Sequence, residues 1–554
     1  MKKLICITFF TLSFNFTVFS QFSEPCFPEG ITFTTQQEID DYHFIYPDCS
    51  EIGGDVMING TDISNLNGLS IVKYIGGKLT VYGTSLTDLS GLENVSFFGG
   101  DIIIKYNQLL TTLTGLEGLT SHYKNIEIYW NENLLSLAGL DNFSSTTGNL
   151  WIERNYSIES LSNLINLTTI GGGLIISECQ GLSSLEGIEN ITNVGSLVIG
   201  HNDELISLST LSNLEAIKYS LYIRGNRRIK NLNGLEAISS LSYNCIIGSN
   251  DSLTDLSGLE NLTSIGKNLE LRNNPHLISL ENLASLTSIG GDLIIVENHK
   301  LPNLTGFSSL ITIGGDFAVV LNDSIKNFCG LNTVESIGGK FKVCCNPVLK
   351  EIDGFEAITS INGSIDIGEN DSLLSITGLS NLQSIHWSLL INWNPLLENI
   401  EGLSNINSET ISYIQIIYNP NLSDCAIESI CGHLAQPIIY PEIHTNANGC
   451  NSRAEVEAEC QTVSVEEETN RNHLTIYPNP FTTTTTISYE LQQPETIRIS
   501  IFNHFGKQVY FLQEKQSPGK QQIGWNADGL PSGMYSYHIQ IGSETTKGKM
   551  LVVR

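Results

Sequence analysis

The residues of this chain best suited to contact a ligand are aromatic and cationic side chains that recur at one place in successive repeats. Tyr106, Trp130 and Arg154 are spaced by 24 residues, and Tyr129 and Trp151 lie beside them in predicted strands. Exposed rings flanked by charges suit stacking on sugars or contact with a protein. The same face continues more sparsely through three further residues, Tyr222, Arg224 and Trp393. The alternative is that all of these are strand-forming residues that cover their neighbours.

Residue types that commonly carry out catalysis form no recognisable pattern. The histidines give no His-x-x-x-His pair, and no Gly-x-Ser-x-Gly or phosphate-binding loop occurs at a strand-to-helix turn. Carboxylates project from the strands at Glu127, Glu153, Glu178 and Glu270. Scattered carboxylates usually form a solvated face, and a catalytic pair would need two of them across a cleft. The sequence therefore predicts a protein that is not an enzyme and holds no cofactor or metal.

Charge and hydropathy narrow the classes of partner. The 554 residues include 28 Lys+Arg against 58 Asp+Glu, a net charge of −30. Because such a chain repels polyphosphate and has no offsetting basic stripe, we expect no nucleic-acid partner. Hydrophobic residues make up 41% of the chain and recur with a strict period, which excludes a disordered protein.

A repeat of 23 or 24 residues organises most of the chain. Fifteen units align on one position, which is glycine in twelve of them: Gly68, Gly91, Gly115, Gly139, Asn163, Gly187, Thr210, Gly234, Gly258, Asn282, Gly306, Gly330, Gly354, Gly378 and Gly402. A period of this length marks leucine-rich or related solenoids, in which each unit packs only on its neighbours.

Each unit is expected to form one coil with one strand. Leu293 and Ile295 alternate as in a strand, and from Asn298 onward the apolar positions fall every third residue, which favours extended or 3₁₀ segments over an α-helix. Sixteen strands, including one at Ile414–Ile416, spaced by roughly 4.8 Å would make a rod about 75 Å long.

An asparagine recurs after each predicted strand and is expected to form a structural ladder. Its amide can satisfy backbone groups that the corner leaves unpaired. The series comprises Asn107, Asn131, Asn155, Asn202, Asn226, Asn250, Asn274, Asn298, Asn322, Asn346, Asn370 and Asn394. Cys179 replaces asparagine in its coil, and Cys245 takes an inward strand position, so both are predicted to be buried free thiols.

The first twenty residues are typical of a secretory signal peptide. Lys2 and Lys3 precede an apolar run, and the small residue Ser20 favours cleavage before Gln21. A transmembrane anchor is the alternative, but polar residues interrupt the run and no other stretch of about 20 apolar residues follows. The prediction is a mature chain without a transmembrane segment, in a compartment where disulfides persist.

The remaining cysteines are expected to staple the two ends of the solenoid, which need caps. Cys26 and Cys49 bracket a helix opened by a capping box at Thr35 and Glu38, and we expect a bridge between them. Two disulfides are expected near the other end, with three possible connectivities among Cys425, Cys431, Cys450 and Cys460. One disulfide and one free thiol are expected among Cys329, Cys344 and Cys345.

The solenoid resembles the receptor L domain, a ligand-binding β-helical module first described in receptor tyrosine kinases. The resemblance is carried by the Cys26 to Cys49 cap, which leads into Ile52-Gly53-Gly54-Asp55, and by repeated Ile-Gly-Gly-x-Leu-x-Ile-x-x-Asn strands. It extends over roughly Cys26 to Cys460 and implies a right-handed, single-stranded β-helix of the leucine-rich-repeat type.

The C-terminal segment resembles the type A sorting domain of the bacterial type IX secretion system. Tyr477-Pro478-Asn479-Pro480 opens a set of short alternating strands, Leu530 to Tyr535 form a later turn, and a basic and apolar tail runs from Lys547 to Arg554. The resemblance implies interaction with the type IX machinery and passage across the outer membrane of a Gram-negative bacterium, to the cell surface or the medium. The alternative is a β-sandwich of unrelated purpose.

These inferences predict an all-β chain: a solenoid of about 16 coils followed by a small β-sandwich. The predicted segments are a signal peptide (1–20), an N-terminal disulfide cap (21–51), the solenoid (52–424), a C-terminal disulfide cap (425–460), a linker (461–472) and the sorting domain (473–554). The predicted function is non-catalytic binding of a glycan or a surface protein through the outward strand face. A structural spacer or adhesin without a discrete site is the alternative, and a polysaccharide-active enzyme is the third.

Overall fold

A computed structural model of the chain describes residues 25–437, 440–468, 474–503, 507–542 and 544–553. The predicted signal peptide and Cys6 lie outside these residues. The chain divides into two compact units, one ending at Val456 and one beginning at Glu457. In the described part of the chain, no helix is long and apolar enough to cross a membrane.

The first unit is a solenoid whose long strands stack in parallel, residue against residue. The strands are Ile31–Phe33, Val56–Ile58, Leu79–Tyr82, Ile102–Lys105, Ile126–Tyr129, Leu150–Glu153, Thr169–Ser177, Asn193–Gly200, Leu221–Arg224, Cys245–Gly248, Leu269–Arg272, Leu293–Val296, Phe317–Val320, Phe341–Cys344, Ile365–Gly368, Ser388–Asn392, Tyr413–Ile417 and Glu442–His444. The sixteen from Val56–Ile58 to Tyr413–Ile417 are the predicted strands, and the caps add one strand at each end.

A second, shorter ladder runs beside the first in three separate stretches and was not predicted. It is built from the two-residue strands Glu51–Ile52, Tyr74–Ile75, Phe97–Phe98, Ser121–His122, Ser145–Thr146, Ala216–Ile217, Ser240–Leu241, Ser264–Ile265, Ser288–Ile289, Thr312–Ile313, Ser336–Ile337, Ser360–Ile361 and Ser384–Ile385. Thr169–Ser177 and Asn193–Gly200 are long enough to join both ladders. Most coils therefore contain two strand segments separated by a corner.

The core of each coil is formed by inward residues of both strands and by the turns between them. Leu293 and Ile295 are completely buried, whereas Ile294 and Val296 between and beyond them are partly exposed. The apolar positions that recur every third residue are also buried, and six coils form short 3₁₀ turns there: Asn67–Leu69, Ser162–Leu164, Ser209–Leu211, Glu281–Leu283, Thr305–Phe307 and Glu401–Leu403. A further 3₁₀ turn, Ser408–Thr410, follows in the last of these coils and buries none of its residues. The predicted 3₁₀ segments are thus confirmed in these coils.

The repeated glycine has a physical cause that is clear at Gly258. Its φ of +107° lies where L side chains are strained, and a Cβ there would come within 2.1 Å of the Leu232 carbonyl oxygen of the preceding coil. Only glycine permits this close approach between coils.

The predicted asparagine ladder is present and continues beyond the predicted series. The Asn298 side chain accepts from the Asn274 backbone N–H at 3.2 Å and donates to the Leu271 carbonyl at 2.9 Å. Its own N–H donates to the Asn322 side chain at 3.0 Å. Asn419 and Asn446 repeat this pattern into the C-terminal cap. Each amide thereby satisfies backbone groups of the coil before it, as buried polar groups require.

Caps with helices close both ends of the solenoid. At the N-terminal end, helix α1 (Gln36–Ile45) begins with the predicted capping box of Thr35 and Glu38, and Cys26 is bonded to Cys49. At the other end are α2 (Glu428–Leu434) and α3 (Arg453–Glu468). Segment 461–472, predicted as a linker, therefore begins inside a helix.

The C-terminal cap shows which cysteines pair. Cys425 is bonded to Cys450, which excludes two of the three connectivities, and Cys431 and Cys460 are each disulfide-bonded as well.

The other described cysteines are free. Cys179 and Cys245 are buried free thiols, as predicted. The prediction of a disulfide among Cys329, Cys344 and Cys345 is wrong, because all three are free. The cause is geometric: the Cys329 thiol lies 3.5 Å from the Asp353 carboxylate, whereas the Cys345 thiol lies at the end of a strand beside Glu369.

The second unit contains two antiparallel sheets. One has the strands Thr475–Tyr477, Thr484–Leu491 and Gly519–Asn526, and the other has Glu495–Phe502, Gln508–Gln516, Gly533–Ile541 and Glu544–Val552. Their core includes Phe481, Ile499, Trp525 and Met550.

The predicted sorting motif holds the last strand in place. The Asn479 side chain accepts from the Leu551 N–H at 2.8 Å and donates to the Lys549 carbonyl at 3.2 Å. The Pro478 carbonyl accepts from the Thr485 hydroxyl at 2.6 Å, and Tyr477 is 79% exposed. The proline and asparagine of the motif therefore have a structural role in this unit.

Candidate ligand-binding surfaces on the solenoid

One repeat position presents most of the candidate side chains. We call it the ridge: the residues that directly precede the ladder asparagines or Cys179. Its non-glycine residues have left-handed backbone, with φ of 56° at Tyr106, 58° at Trp130, 54° at Arg154 and 59° at Trp393. That conformation costs on the order of 1 kcal/mol for an L residue.

The asparagine ladder holds the ridge in this conformation. After Trp130, the Asn131 N–H donates to the Asn155 side chain at 3.0 Å, and the Asn131 amide donates to the Ile104 carbonyl at 2.9 Å. The Trp130 N–H donates to the Glu153 carbonyl of the next coil at 3.1 Å. Each ridge side chain therefore points to the surface of the solenoid, and the buried hydrogen bonds of the asparagine that follows it hold its backbone in place.

The first candidate surface is an aromatic array near the N-terminal end of the solenoid. It consists of Tyr82, Lys105, Tyr106, Tyr129, Trp130, Trp151, Glu153 and Arg154. The Tyr106 ring stacks with Trp130, with centroids 5.6 Å apart and planes 16° apart. Tyr106 also makes edge contacts with Tyr82 at 5.6 Å and with Tyr129 at 6.2 Å. The rings therefore form a continuous surface over neighbouring coils.

Cations of the chain cover several of these rings. The Lys105 ammonium lies 5.7 Å from the Tyr82 centroid and 5.5 Å from the Tyr129 centroid. A hydrogen bond with Tyr129 is the main cause that raises the pKa of Lys105. The Arg154 guanidinium lies 4.7 Å from the Trp130 centroid. All three distances are within the range of a cation–π interaction.

Carboxylates in turn pair with Arg154. Its Nε lies 2.8 Å from Glu178 and 3.7 Å from Glu153. The indole N–H of Trp151, which is 39% exposed on the adjacent strand, donates to the same Glu153. Contacts therefore link all five residues that the sequence predicted to bind a ligand. That they bind a ligand stays a prediction. Sequence reasoning missed Tyr82, although it stands one coil before Lys105 at the same strand position.

The second candidate surface is a cavity of about 650 Å³ near the C-terminal end of the solenoid, which we call the terminal pocket. It is lined by Asp323, Cys345, Pro347, Glu369, Asp371, Trp393, Pro395, Tyr418, Pro420 and Thr445. Five of these residues, Cys345, Glu369, Trp393, Tyr418 and Thr445, are on the ridge or its continuation. The pocket thus uses the same repeat position as the aromatic array.

A pair of stacked rings forms one wall of the terminal pocket. Trp393 and Tyr418 lie 3.9 Å apart with planes 12° apart, and His444 meets Tyr418 edge-on at 6.0 Å. Trp393 is 52% exposed. Tyr418 escaped sequence reasoning because Asn419, the asparagine that marks its position, follows Asn394 by 25 residues and breaks the period. The extra residue accompanies the 3₁₀ turn Ser408–Thr410.

Acidic and sulfur groups line the pocket on the two coils that precede Trp393. The Cys345 thiol donates to Glu369 at 3.7 Å. Burial, reinforced by Cys344 and Glu369, raises the pKa of Cys345 to about 12, so the group is a neutral thiol near pH 7. Donor atoms of Cys344, Cys345 and Glu369 all lie within 4.8 Å of one another.

Two thiols and a carboxylate are ligands that a soft divalent cation such as Zn²⁺ accepts. Burial also raises the pKa of Cys344, so a metal would have to displace two protons. No metal site was predicted from the sequence. The contact between Glu369 and the cysteines could not be predicted either, because Glu369 lies one coil further along the chain.

Comparison with protein families identifies the C-terminal part of the chain. A protein-family model described as a secretion system C-terminal sorting domain matches residues 475–554. No curated protein matches the chain. The match supports the predicted sorting domain, while the resemblance of the solenoid to the receptor L domain stays a prediction. The chain therefore carries a secretion system C-terminal sorting domain, which implies export through the type IX machinery across the outer membrane of a Gram-negative bacterium, to the cell surface or the extracellular space.

Proposed function

We propose that this exported chain is a non-catalytic binding protein of the cell surface or medium that recognises a glycan or a surface protein through its aromatic array. The observation that carries the proposal is the unbroken series of contacts from Tyr82 through Tyr106 to Trp130. A surface of this kind is built from rigid side chains that lose little conformational entropy on binding.

The charges of the array favour a neutral ligand. Arg154 is paired with Glu178, and Lys105 lies against tyrosine rings. Carboxylates offset the charge of Arg154 and Lys105 is engaged by the rings, so the surface offers mainly the exposed faces and edges of Tyr82, Tyr106 and Trp151. The apolar faces of neutral sugars stack on such rings, and hydroxyl groups can bond the carboxylates beside them. A neutral glycan is therefore the favoured ligand, and a surface protein is the alternative.

A glycan array tests the proposal. The exported chain is applied beside two variants, Tyr106→Ala/Trp130→Ala and, as a matched control, Trp387→Ala, whose exposed tryptophan lies outside the array. We expect selective binding that falls at least 10-fold in the double variant and persists in the control, since aromatic anchors often contribute 2 kcal/mol or about 30-fold. Unfolding temperatures show whether the variants are folded.

If no glycan on the array binds, protein ligands are tested next. Binding to intact cells is then the assay, and the same variants are the controls. Binding that survives the double variant would contradict the proposal.

A structural spacer is the second candidate, favoured by the sixteen similar coils between the caps. A spacer needs length and no discrete site. Deleting the two coils 234–281 should then shorten the reach of the protein without changing attachment, and the Tyr106→Ala/Trp130→Ala variant should attach normally.

A further inference from the structure

We propose that the terminal pocket is a second binding site, which takes an organic cation: an alkylammonium or guanidinium group such as the end of a lysine or arginine side chain. This inference does not rest on the proposed function of the aromatic array. It concerns the Trp393–Tyr418 stack, the carboxylates beside it and the walls that enclose them.

The stacked rings offer an electron-rich surface for a cation. Trp393 and Tyr418 lie face to face at 3.9 Å, which leaves the outer face of the exposed indole available. Tryptophan is the strongest cation–π partner among the side chains. Among the residues that the structure describes, no Lys or Arg lies over either ring, whereas Trp130 is already covered by Arg154.

The carboxylates of the pocket have no cation of their own. Within the described ranges, neither Glu369 nor Asp371 has a Lys, Arg or His nitrogen within 4.0 Å. Asp323, at the rim, pairs with His299 at 2.9 Å. Glu369 does accept from the Cys345 thiol, but a thiol donor brings no positive charge to the carboxylate. An incoming cation would meet both the ring face and this charge.

The remaining wall suits an alkyl chain. Pro347, Pro395 and Pro420 each follow a ladder asparagine and line the pocket, and Asp371 holds the same position in the coil between Pro347 and Pro395. Proline rings are rigid and apolar, and lysine and arginine bury their methylene groups against such surfaces while the charged end finds a polar partner. The volume of about 650 Å³ lies within the range of small-ligand sites.

The test must separate this site from general attraction, because a chain with a net charge of −30 attracts any cation. Removing an aromatic ring leaves the net charge unchanged. Trp393→Ala therefore reports on the pocket alone, and Trp387→Ala is its matched control, because it removes an exposed indole that does not line the pocket.

The experiment is a calorimetric titration of the exported chain with butylammonium, butylguanidinium and the blocked peptide acetyl-Gly-Gly-Lys-Gly-Gly-amide. We expect saturable binding that weakens about 5- to 10-fold in Trp393→Ala and in Glu369→Gln and is unchanged in Trp387→Ala. The same peptide with an acetylated, neutral lysine should not bind. Thermal unfolding of each variant shows that the coil is intact.

The two kinds of probe distinguish the source of the cation. Tighter binding of the peptide than of butylammonium assigns the site to a side chain of a partner protein, and equal affinity assigns it to small amines; both results support a cation site. Binding that Trp393→Ala leaves unchanged, or equal binding of the acetylated peptide, overturns the proposal. So does loss of binding in Cys344→Ser with full retention in Trp393→Ala, which would place the cation on the sulfur cluster instead.

Discussion

The aromatic array and the terminal pocket occupy the same repeat position at opposite ends of one solenoid, yet they differ in electrostatic character. In the array, Lys105 and Arg154 lie over the rings and carboxylates pair with Arg154. In the pocket, the rings of Trp393 and Tyr418 stack on each other, and the carboxylates of Glu369 and Asp371 line the same cavity. On the ridge, Trp393 lies eleven coils after Trp130, roughly 53 Å at the usual strand spacing.

The difference shows how a regular solenoid acquires distinct sites. The ladder fixes the backbone of the ridge in the same left-handed conformation at both ends. The chemistry then depends on the residues that occupy the ridge and the neighbouring strand columns. Substitution at a few columns can therefore change the ligand without changing the fold.

The largest expected effect is the loss of stability when the asparagine ladder, which supports both surfaces, is interrupted. Asn274 lies between them and exchanges hydrogen bonds with Asn250, Asn298 and the Ile247 carbonyl. Asn274→Ala leaves buried backbone groups unsatisfied, and we expect the free energy of unfolding to fall by about 3 kcal/mol. Denaturant unfolding of the exported chain measures this loss.

The adjacent ridge residue Asn273 is the matched control for that variant. It is exposed and has a φ of 51°, which glycine adopts easily, so Asn273→Gly should change stability by less than about 0.5 kcal/mol. Equal losses in the two variants would contradict the role assigned to the ladder.

A smaller effect is expected on cation binding when the aromatic array is changed to resemble the terminal pocket. Arg154→Gln uncovers the Trp130 ring and leaves Glu153 and Glu178 without their cation. We expect the variant to gain binding of butylammonium by about 5-fold, equivalent to about 1 kcal/mol, as exposed cation–π contacts contribute. Calorimetry measures the gain, with Arg228→Gln as a control for the loss of one positive charge away from the rings. A gain in both variants would show that net charge alone is responsible.

The smallest expected effect is the change in stability when Glu127, on a strand beside the aromatic array, is replaced. Burial, and then the nearby Asp101, raise the pKa of Glu127. A raised carboxyl pKa means that the folded state is favoured by protonation, so this stabilisation is present at low pH and is lost as pH rises through the folded pKa. Glu127→Gln should therefore stabilise the chain slightly at pH 7 and have no effect below roughly pH 4. Unfolding temperatures across this range would test the sign, and destabilisation at pH 7 would contradict it.

The sequence predicted the main ladder and the array because both follow a local rule. Alternation at Leu293 and Ile295 indicated inward strand positions, and a fixed period placed Tyr106, Trp130 and Arg154 on adjacent coils. The structure confirms that these residues are neighbours. Periodicity is sufficient for such residues because stacking in register converts a constant spacing in sequence into contact in space.

The terminal pocket could not be predicted from the same rule. One additional residue between Asn394 and Asn419 hides Tyr418 from the periodic alignment, although the two asparagines still bond at 3.0 Å. The pocket also depends on distances between coils, such as that from Cys345 to Glu369, which no spacing reports. Cys344 and Cys345 are free thiols because of where the coils place them. The number of cysteines in the chain could not show this.

The most direct test of the account applies the double variants Tyr106→Ala/Trp130→Ala and Trp393→Ala/Tyr418→Ala in parallel to one glycan array, with the unaltered chain beside them. The account predicts selective glycan binding that the first variant loses by at least 10-fold and the second retains, with both proteins folded. Retained binding in the first variant, or equal loss in both, would contradict the assignment of ligand recognition to the aromatic array.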